Sequence, residues 1–210
     1  MFPLRDTIPS RTFPFVTISL IIFNVLIFFY ELSLGEQLNT FLNNFGVIPA
    51  KFQNIHVQHP IQSASAILPL FSSVFLHGGW MHIISNMWYL WIFGDNVEDR
   101  TGHFRFLIFY LLCGVLAGLS HVMMNISSSV PTIGASGAIA GVMGAYFLLF
   151  PRSKIVTLIF IFIFIQIIEI PAVFFLGFWI LLQLISGSMS RGLVENSGGV
   201  AWWAHIGGFL

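Results

Sequence analysis

Charged residues are rare in this sequence. Only 8% of its 210 residues are Asp, Glu, Lys or Arg, whereas soluble globular proteins carry about 25%. The eight basic and eight acidic residues cancel to zero net charge, and the basic residues form no run of five or more. Proteins that bind nucleic acid present a basic patch to the phosphates, so we expect no nucleic-acid partner.

Cysteine and metal-binding motifs are also scarce. Cys113 is the single cysteine, so these 210 residues cannot form a disulfide among themselves. Seven histidines are present, but no His-Glu-x-x-His motif occurs, and no carboxylate stands beside His77, His82 or His205. A metallohydrolase needs such ligands and a glutamate as general base. We therefore expect no metal and no cofactor.

Hydrophobic residues, by contrast, make up 57% of the chain and form long runs. A helix needs about 20 residues to cross the ~30 Å hydrocarbon core of a bilayer. The runs predict an all-α membrane protein, a polytopic bundle of six transmembrane helices in one domain, with the sixth helix incomplete. The predicted spans are approximately residues 14–32, 80–95, 104–125, 136–150, 171–186 and the start of the sixth at 201–210.

The positions of the basic residues predict the orientation of the bundle. Cytoplasmic loops near the ends of spans carry an excess of Lys and Arg, and only Lys51 and Arg191 fall on the side opposite the other six. The N-terminus is therefore predicted inside, residues 33–79 form an outer loop, and Ser136 lies near the outer end of the fourth span. The six basic residues on the inner side are Arg5, Arg11, Arg100, Arg105, Arg152 and Lys154.

Ser136 stands among small residues in GASGAIAGVMG, residues 134–144. Small residues four apart let transmembrane helices approach backbone to backbone, and the segment around His205 carries glycines of its own. Such packing would bring the two side chains together, so that the imidazole can take the serine proton and make it a nucleophile. The alternative is that Ser136 is a packing residue and His205 an interfacial anchor.

A partnership between Ser136 and His205 also bears on the apolar stretch 155–185, which is longer than one span requires. Two spans there would place the two residues almost a bilayer thickness apart. One span, roughly 171–186, places both near outer helix ends. The preceding IVTLIFIFIFIQII is then expected to lie at the membrane interface or to extend the helix obliquely.

A second polar group occurs in HGGWMHIISN, residues 77–86. His82 and Asn86 are four apart and share one helix face, in an apolar setting where unpartnered polar groups are costly. Each can donate a hydrogen bond to developing negative charge, as an oxyanion hole requires. The alternative for Asn86 is a hydrogen bond that bridges two helices.

The segments HGGWMHIISNMWYL, GASGAIAGVMG and AHIGGF, in that order, resemble the three signature segments of the rhomboid intramembrane serine proteases. The resemblance runs from about Thr12 to the end of the chain. It implies that Ser136 is the nucleophile and His205 the general base. It also implies that His82, Asn86 and the backbone N–H of Ser136 hold the oxyanion.

The same resemblance implies that Glu98 and Arg100 brace the inner ends of spans 2 and 3. Ala140 departs from some relatives, which have an aromatic side chain there to stack on the catalytic histidine, so another residue must orient His205. Trp202 or Trp203 could do so, the alternative being that both tryptophans are anchors at the membrane interface. No carboxylate is placed to complete a triad. Glu169 is expected to mark an outer or interfacial break of the chain, which leaves a Ser–His dyad.

The sequence therefore predicts an intramembrane serine endopeptidase that cleaves transmembrane segments near the outer face. The alternative is a catalytically inactive rhomboid-like protein that binds transmembrane helices. The expected partners are single-pass or other transmembrane substrates and the lipid bilayer. The expected location is a bacterial inner membrane, with multiple spans and a cytoplasmic N-terminus.

Overall fold

The computed structural model describes residues 1–52, 63–161, 164–190 and 199–210, without the side chains of residues 63–66 and 161. Six of its helices lie where the sequence predicts spans. The helices are α1 (Phe15–Ser33), α2 (Leu38–Phe45), α3 (Ser63–Ser72), α4 (Trp80–Thr101), α5 (His103–Met124), α6 (Ser136–Leu149), α7 (Ala172–Met189) and α8 (Trp202–Phe209).

The helices form a polytopic membrane bundle. Among the described helices, α1, α5 and α7 are long and apolar enough to cross a bilayer on their own. Helix α4 also qualifies when it is taken with the preceding helical segment Ile67–Phe75, from which it is bent by 88°. Helix α6 is shorter, with 14 residues, and lies at the centre of the bundle against α4, α5, α7 and α8.

The outer surface of the bundle is apolar. Large hydrophobic side chains such as Leu26 of α1, Leu112 of α5 and Phe174 of α7 are exposed. A soluble protein rarely exposes so much contiguous apolar surface, whereas a helix facing lipid does so without cost. The protein is therefore an integral, multi-pass membrane protein.

A three-stranded antiparallel sheet accompanies the helices and corrects the sequence analysis. Its strands are β1 (Phe2–Asp6), β2 (Lys154–Ile161) and β3 (Phe164–Pro171), in the order β1-β2-β3. The segment IVTLIFIFIFIQII was predicted to lie at the membrane interface or to extend the helix obliquely. Its described residues form strands, so the helical extension is wrong. Alternating Ile and Phe favour a pleated strand, but periodicity does not separate a short apolar strand from a helix.

The chain's N-terminal residues make the sheet possible. A lone two-stranded hairpin is marginally stable, and β1 supplies the third strand by pairing Phe2 with Leu158 and Asp6 with Ile155. Near this pairing β2 is buried, whereas β3 is exposed from Phe164 to Glu169. The sheet therefore attaches to the bundle mainly through β1 and the first half of β2.

Strand β1 runs along α4 toward the end of the bundle where α6 finishes. The Trp88 indole N–H donates to the Pro3 carbonyl at 2.7 Å. The Asn96 amide and the Tyr146 hydroxyl donate to Asp6 Oδ2 at 2.9 and 2.6 Å. Burial raises the pKa of Asp6 to about 6. The sheet is thus joined to two helices at the predicted inner end.

Glu169 was expected at an outer or interfacial break, and of these two positions the outer one is wrong, because Glu169 lies beside Lys154 at the predicted inner end. Its carboxylate accepts a hydrogen bond from Lys154 Nζ at 2.8 Å across β2 and β3, and this bond holds the pKa of Glu169 below its usual range. The reason for the difference is that β2 and β3 form a hairpin. The hairpin brings the chain back to the level at which α6 ended, and α7 begins there.

Glu98 braces more helices than the resemblance implied, and Arg100 is not its partner. Glu98 is fully buried and accepts hydrogen bonds from the backbone N–H groups of Val16 and Thr17 at 2.9 and 2.7 Å. It also contacts His103 Nδ1 at 2.5 Å. Arg100 is exposed and forms no ion pair with Glu98. Helix α1 follows Pro14 without a side-chain cap, so its free N–H groups attract the carboxylate.

Candidate active site

Ser136 and His205 meet between two helices. Ser136 is the first residue of α6, and His205 lies in α8. The distance between His205 Nε2 and Ser136 Oγ is 2.9 Å, which is hydrogen-bond length. The first residues of a helix have backbone N–H groups without partners in the helix, so the N–H of Ser136 is free to bind a negative charge beside its own hydroxyl.

The two side chains meet because glycines let α6 and α8 approach closely. A Cβ atom added to Gly208 would overlap the carbonyl oxygen of Gly137, and one added to Gly144 would overlap that of Phe209. At these positions any other residue would separate the helices. The small residues of the two signature segments therefore determine the distance between the serine and the histidine.

The backbone before Ser136 also requires a glycine. Gly134 has φ of +127°, which residues with a Cβ rarely adopt. A Cβ there would lie 2.6 Å from His82 Nε2 and 3.7 Å from Asn86 Nδ2. The absence of a side chain at Gly134 thus leaves the polar atoms of α4 open toward Ser136.

His82 and Asn86 face Ser136 as donors. The Gly78 backbone N–H donates to His82 Nδ1 at 3.3 Å, so in the neutral ring Nε2 carries the proton and points toward Gly134. Asn86 Nδ2 is buried and has no hydrogen-bond partner among the described residues. An unpaired buried amide is costly, and this one lies 3.7 Å from where a Cβ of Gly134 would stand, two residues before Ser136.

A different set of residues from the one expected holds the imidazole of His205. Its Nδ1 lies 2.8 Å from Gln183 Oε1, and its ring lies against the Trp179 ring with centroids 5.7 Å apart and an angle of 34°. Trp202 contacts it edge-on at 6.4 Å, whereas the backbone carbonyl of Trp203 accepts a bond from Ser120. Of the two expected tryptophans, Trp202 contributes.

The sequence analysis missed Gln183 and Trp179, both on α7. One signal was available, because Gln183 is a polar side chain inside an apolar span and such residues are commonly functional. The stacking of Trp179 had no comparable signal. Its position against His205 depends on how α7 packs beside α8.

The four polar side chains open into one cavity of about 750 Å³. Its lining includes Ser136, His205, His82, Asn86 and a further buried histidine, His121, which the sequence analysis did not single out. A cavity with these polar walls can hold water next to the serine. Within the described residues, no group of three or more His, Cys, Asp or Glu is placed to hold a metal ion.

Comparison with known protein families gives a match to the Rhomboid domain across residues 64–210. The chain belongs to the rhomboid family. The match contains α4, α6 and α8, and so every residue of the cavity just described. The polytopic bundle is therefore a rhomboid fold, with β1 and helices α1 and α2 before the matched part.

The chain is also similar in sequence to individual rhomboid proteins. The chain is 28% identical over 147 residues to the mitochondrial Rhomboid protein 1 of Saccharomyces cerevisiae, covering 68% of this chain and 39% of that protein. It is 31% identical over 141 residues to RHOMBOID-like protein 5 of Arabidopsis thaliana, covering 67% and 40%. It is 39% identical over 70 residues to the chloroplastic Rhomboid-like protein 11 of the same plant, covering 33% and 25%. The matches span well under half the length of these relatives.

Proposed function

We propose that this rhomboid is an intramembrane serine endopeptidase that cleaves transmembrane segments near the outer face. The observation that carries the proposal is the 2.9 Å distance between His205 Nε2 and Ser136 Oγ, in a cavity that Asn86 and His82 also line. Proton transfer requires heavy atoms about 2.6–3.2 Å apart. The dyad has this geometry before any substrate binds.

The first half of the reaction forms an acyl-enzyme. Ser136 Oγ attacks the scissile carbonyl carbon while His205 Nε2 takes the hydroxyl proton. The carbonyl oxygen becomes negative and accepts hydrogen bonds from Asn86 Nδ2, His82 Nε2–H and the Ser136 backbone N–H. The C–N bond then breaks, and the imidazolium gives its proton to the leaving amine.

The second half of the reaction consumes water from the cavity. His205 Nε2 takes a proton from the water, whose oxygen attacks the ester carbon of the acyl-enzyme. The same donors hold the second oxyanion. The ester C–O bond breaks, Ser136 Oγ regains the proton from His205, and a carboxylic acid product leaves.

The proposed substrates are transmembrane helices that unwind locally. Helical carbonyls are hydrogen-bonded within the helix and shielded, so the scissile bond must become extended before Ser136 reaches it. We expect small or helix-breaking residues near the outer end of the substrate span. These partners, single-pass or other transmembrane proteins in the same bilayer, follow from the position of the cavity at one end of the bundle.

We also propose a bacterial inner membrane with the N-terminus in the cytoplasm. The excess of basic residues on the predicted inner side supports the orientation. The relatives named above are, for their part, described as mitochondrial in yeast and chloroplastic in Arabidopsis. Cell fractionation with protease protection of the N-terminus tests both the compartment and the orientation.

The experiment that tests the activity uses purified protein in liposomes with a model single-span substrate. Ser136→Ala and His205→Ala are each expected to abolish cleavage, and Ser136→Ala to abolish labelling by a fluorophosphonate. Ser19→Ala is a matched control, because the Ser19 hydroxyl is exposed and donates to the Phe15 carbonyl of its own helix, away from the cavity. Cleavage retained in Ser136→Ala would remove the nucleophile assignment. Absence of cleavage and labelling in the unmodified protein, with substrate binding retained, would favour the inactive helix-binding alternative.

A further inference from the structure

Gln183 makes two hydrogen bonds that together determine which way its amide faces. Its Nε2 donates to the Trp179 carbonyl, one turn earlier in α7, at 3.3 Å. Its Oε1 therefore faces His205 Nδ1 at 2.8 Å. The reversed amide would set two carbonyl oxygens against each other, so the network assigns the orientation. Gln183 is only 6% exposed, so little water competes for these bonds.

This orientation selects one tautomer of His205. A carbonyl oxygen can only accept, so Nδ1 of the neutral ring must carry the proton. Nε2 then has a free lone pair, and it is the atom that lies 2.9 Å from Ser136 Oγ. The opposite tautomer would present an N–H to the serine and could not accept its proton.

The ring plane of His205 is also restricted. Trp179 lies along one side, tilted by 34°, and Trp202 approaches edge-on at 87°. Trp179 and Gln183 are four apart and so share one face of α7. A single helix face thus provides both the acceptor and the stacking surface.

The side chains that orient the His205 imidazole come from α7, because α6 has no room for a large side chain beside α8. Ala140 is fully buried, and a Cβ at Gly208 would already lie 3.4 Å from the Cβ of Ala140. A large ring at this position of α6 would separate α6 from α8. The close approach of these helices therefore requires that another helix orient the imidazole.

We propose that Gln183 is a positioning residue that holds His205 in the base-competent tautomer, and this inference rests on the proposed protease function. A neutral amide orients the imidazole as the aspartate of a triad does, but it adds no negative charge to stabilise the imidazolium. The residue acts through His205 and does not touch the reacting atoms.

The test compares Gln183→Leu and Gln183→Glu with the unmodified enzyme in liposomes. Gln183→Leu removes the acceptor at similar volume, and we expect kcat to fall about 10²-fold, the scale of general-base effects, with KM within about twofold. Gln183→Glu restores an acceptor and recovers activity. Because a carboxylate favours the imidazolium, the pH below which activity is lost is expected to move upward.

The matched control is Gln166→Leu, on the exposed part of β3, which should leave kcat and the pH profile unchanged. If Gln183→Leu does not fold, Gln183→Asn takes its place, because its shorter amide does not reach Nδ1, and the same loss is expected. If Gln183 had only a structural role, the pH profile of Gln183→Glu would be the same as that of the unmodified enzyme.

Two results would overturn the inference alone. They are a kcat within about twofold of the unmodified enzyme in Gln183→Leu, or an unshifted pH profile in an active Gln183→Glu, while Ser136→Ala remains inactive. Cleavage by Ser136→Ala would instead overturn the proposed function. The fluorophosphonate labelling rate separates the two cases, since it reports the activated serine without a peptide substrate.

Discussion

Buried polar groups at the two ends of the bundle differ in their hydrogen bonding. At the predicted inner end, Glu98 accepts three hydrogen bonds from the start of α1, and Asp6 accepts bonds from two helices. At the outer end, Asn86 Nδ2 is buried without a hydrogen-bond partner among the described residues. Buried polar groups are normally hydrogen-bonded, so an unsatisfied one requires an explanation, and for Asn86 the proposed oxyanion supplies it.

This difference predicts which substitutions lower the stability of the fold and which lower the reactivity of the site. Changes at the inner end should lower the resistance to unfolding and leave the reactivity of the folded protein alone. Changes at the outer end should lower reactivity with little loss of stability. The predictions below test this division in order of decreasing effect.

The largest effect is expected where α6 and α8 touch, because the outer site depends on their distance. Gly208→Ala adds a Cβ that overlaps the Gly137 carbonyl oxygen. A displacement of about 1 Å at a catalytic pair can cost 10²-fold in rate, so we expect fluorophosphonate labelling to slow at least about 10²-fold. Gly177→Ala is the control, since its Cβ would meet only one ring carbon of Phe147 at 4.0 Å. Equal labelling rates in the two variants would contradict the close-approach argument.

The next largest effect is expected when a donor to the proposed oxyanion is removed. Asn86→Ala removes one donor and is expected to lower kcat by about 10²–10³-fold, with residual activity from the other donors. The thermal unfolding midpoint should stay the same or rise, because a buried amide without a partner is lost. An unchanged cleavage rate would take Asn86 out of the site, and a large fall in the midpoint would place it among the structural groups.

Glu98→Gln should show the reverse pattern. The neutral amide keeps one acceptor oxygen and loses the other, and a hydrogen bond to a charged group is worth roughly 1.5–3 kcal/mol. We expect a fall of about 2 kcal/mol in the free energy of unfolding, read from denaturant titration, and an unchanged labelling rate below the transition. Arg100→Gln is the control, because Arg100 is exposed and unpaired with Glu98. A matching fall in Arg100→Gln would give Arg100 the bracing role that the resemblance implied.

The smallest effect concerns the attachment of β1 and its dependence on pH. Burial raises the pKa of Asp6 to about 6 from its ordinary value of 3.8. A raised carboxyl pKa means that the folded protein prefers the protonated form. The corresponding stability is therefore complete below pH 3.8 and lost as the pH rises through 6.

Asp6→Asn should remove this dependence, because its side chain does not titrate. The change in stability between pH 5 and pH 7 is expected to be below about 1 kcal/mol, since Asp6 is partly solvated. Proteolysis of the N-terminal strand at the two pH values measures it. A pH dependence that persists in Asp6→Asn would point to another group.

Sequence reasoning was most successful where a motif carries both the chemistry and the packing. GASGAIAGVMG and AHIGGF contain Ser136 and His205 together with the glycines that bring their helices together, so the contact between the two side chains could be predicted. It failed for IVTLIFIFIFIQII, because a mostly apolar run is compatible with a strand and with a helix. The pairing that decides between them involves Phe2–Asp6, some 150 residues away in the chain.

The partners of the buried polar groups were also beyond the sequence. Glu98 was expected to brace spans 2 and 3 together with Arg100, two residues along the chain, whereas in the structure it binds the start of α1, more than 80 residues away. The orienting residue of His205 was sought next to it, at Trp202 or Trp203, whereas Gln183 and Trp179 come from a different helix. In each case the sequence showed a polar group that needed a partner and did not show which one it had.

The amino-acid sequence alone determined that this protein lies in a membrane, that it has the segments of a rhomboid, and which hydroxyl and imidazole face each other. Composition and local spacing contain that information, because hydrocarbon thickness and helix geometry act on neighbouring residues. Only the tertiary structure decided that the apolar stretch after α6 is a hairpin, that Glu98 binds α1, and that α7 orients the histidine. Those outcomes depend on hydrogen bonds between residues far apart in the chain, which form only once the helices have packed.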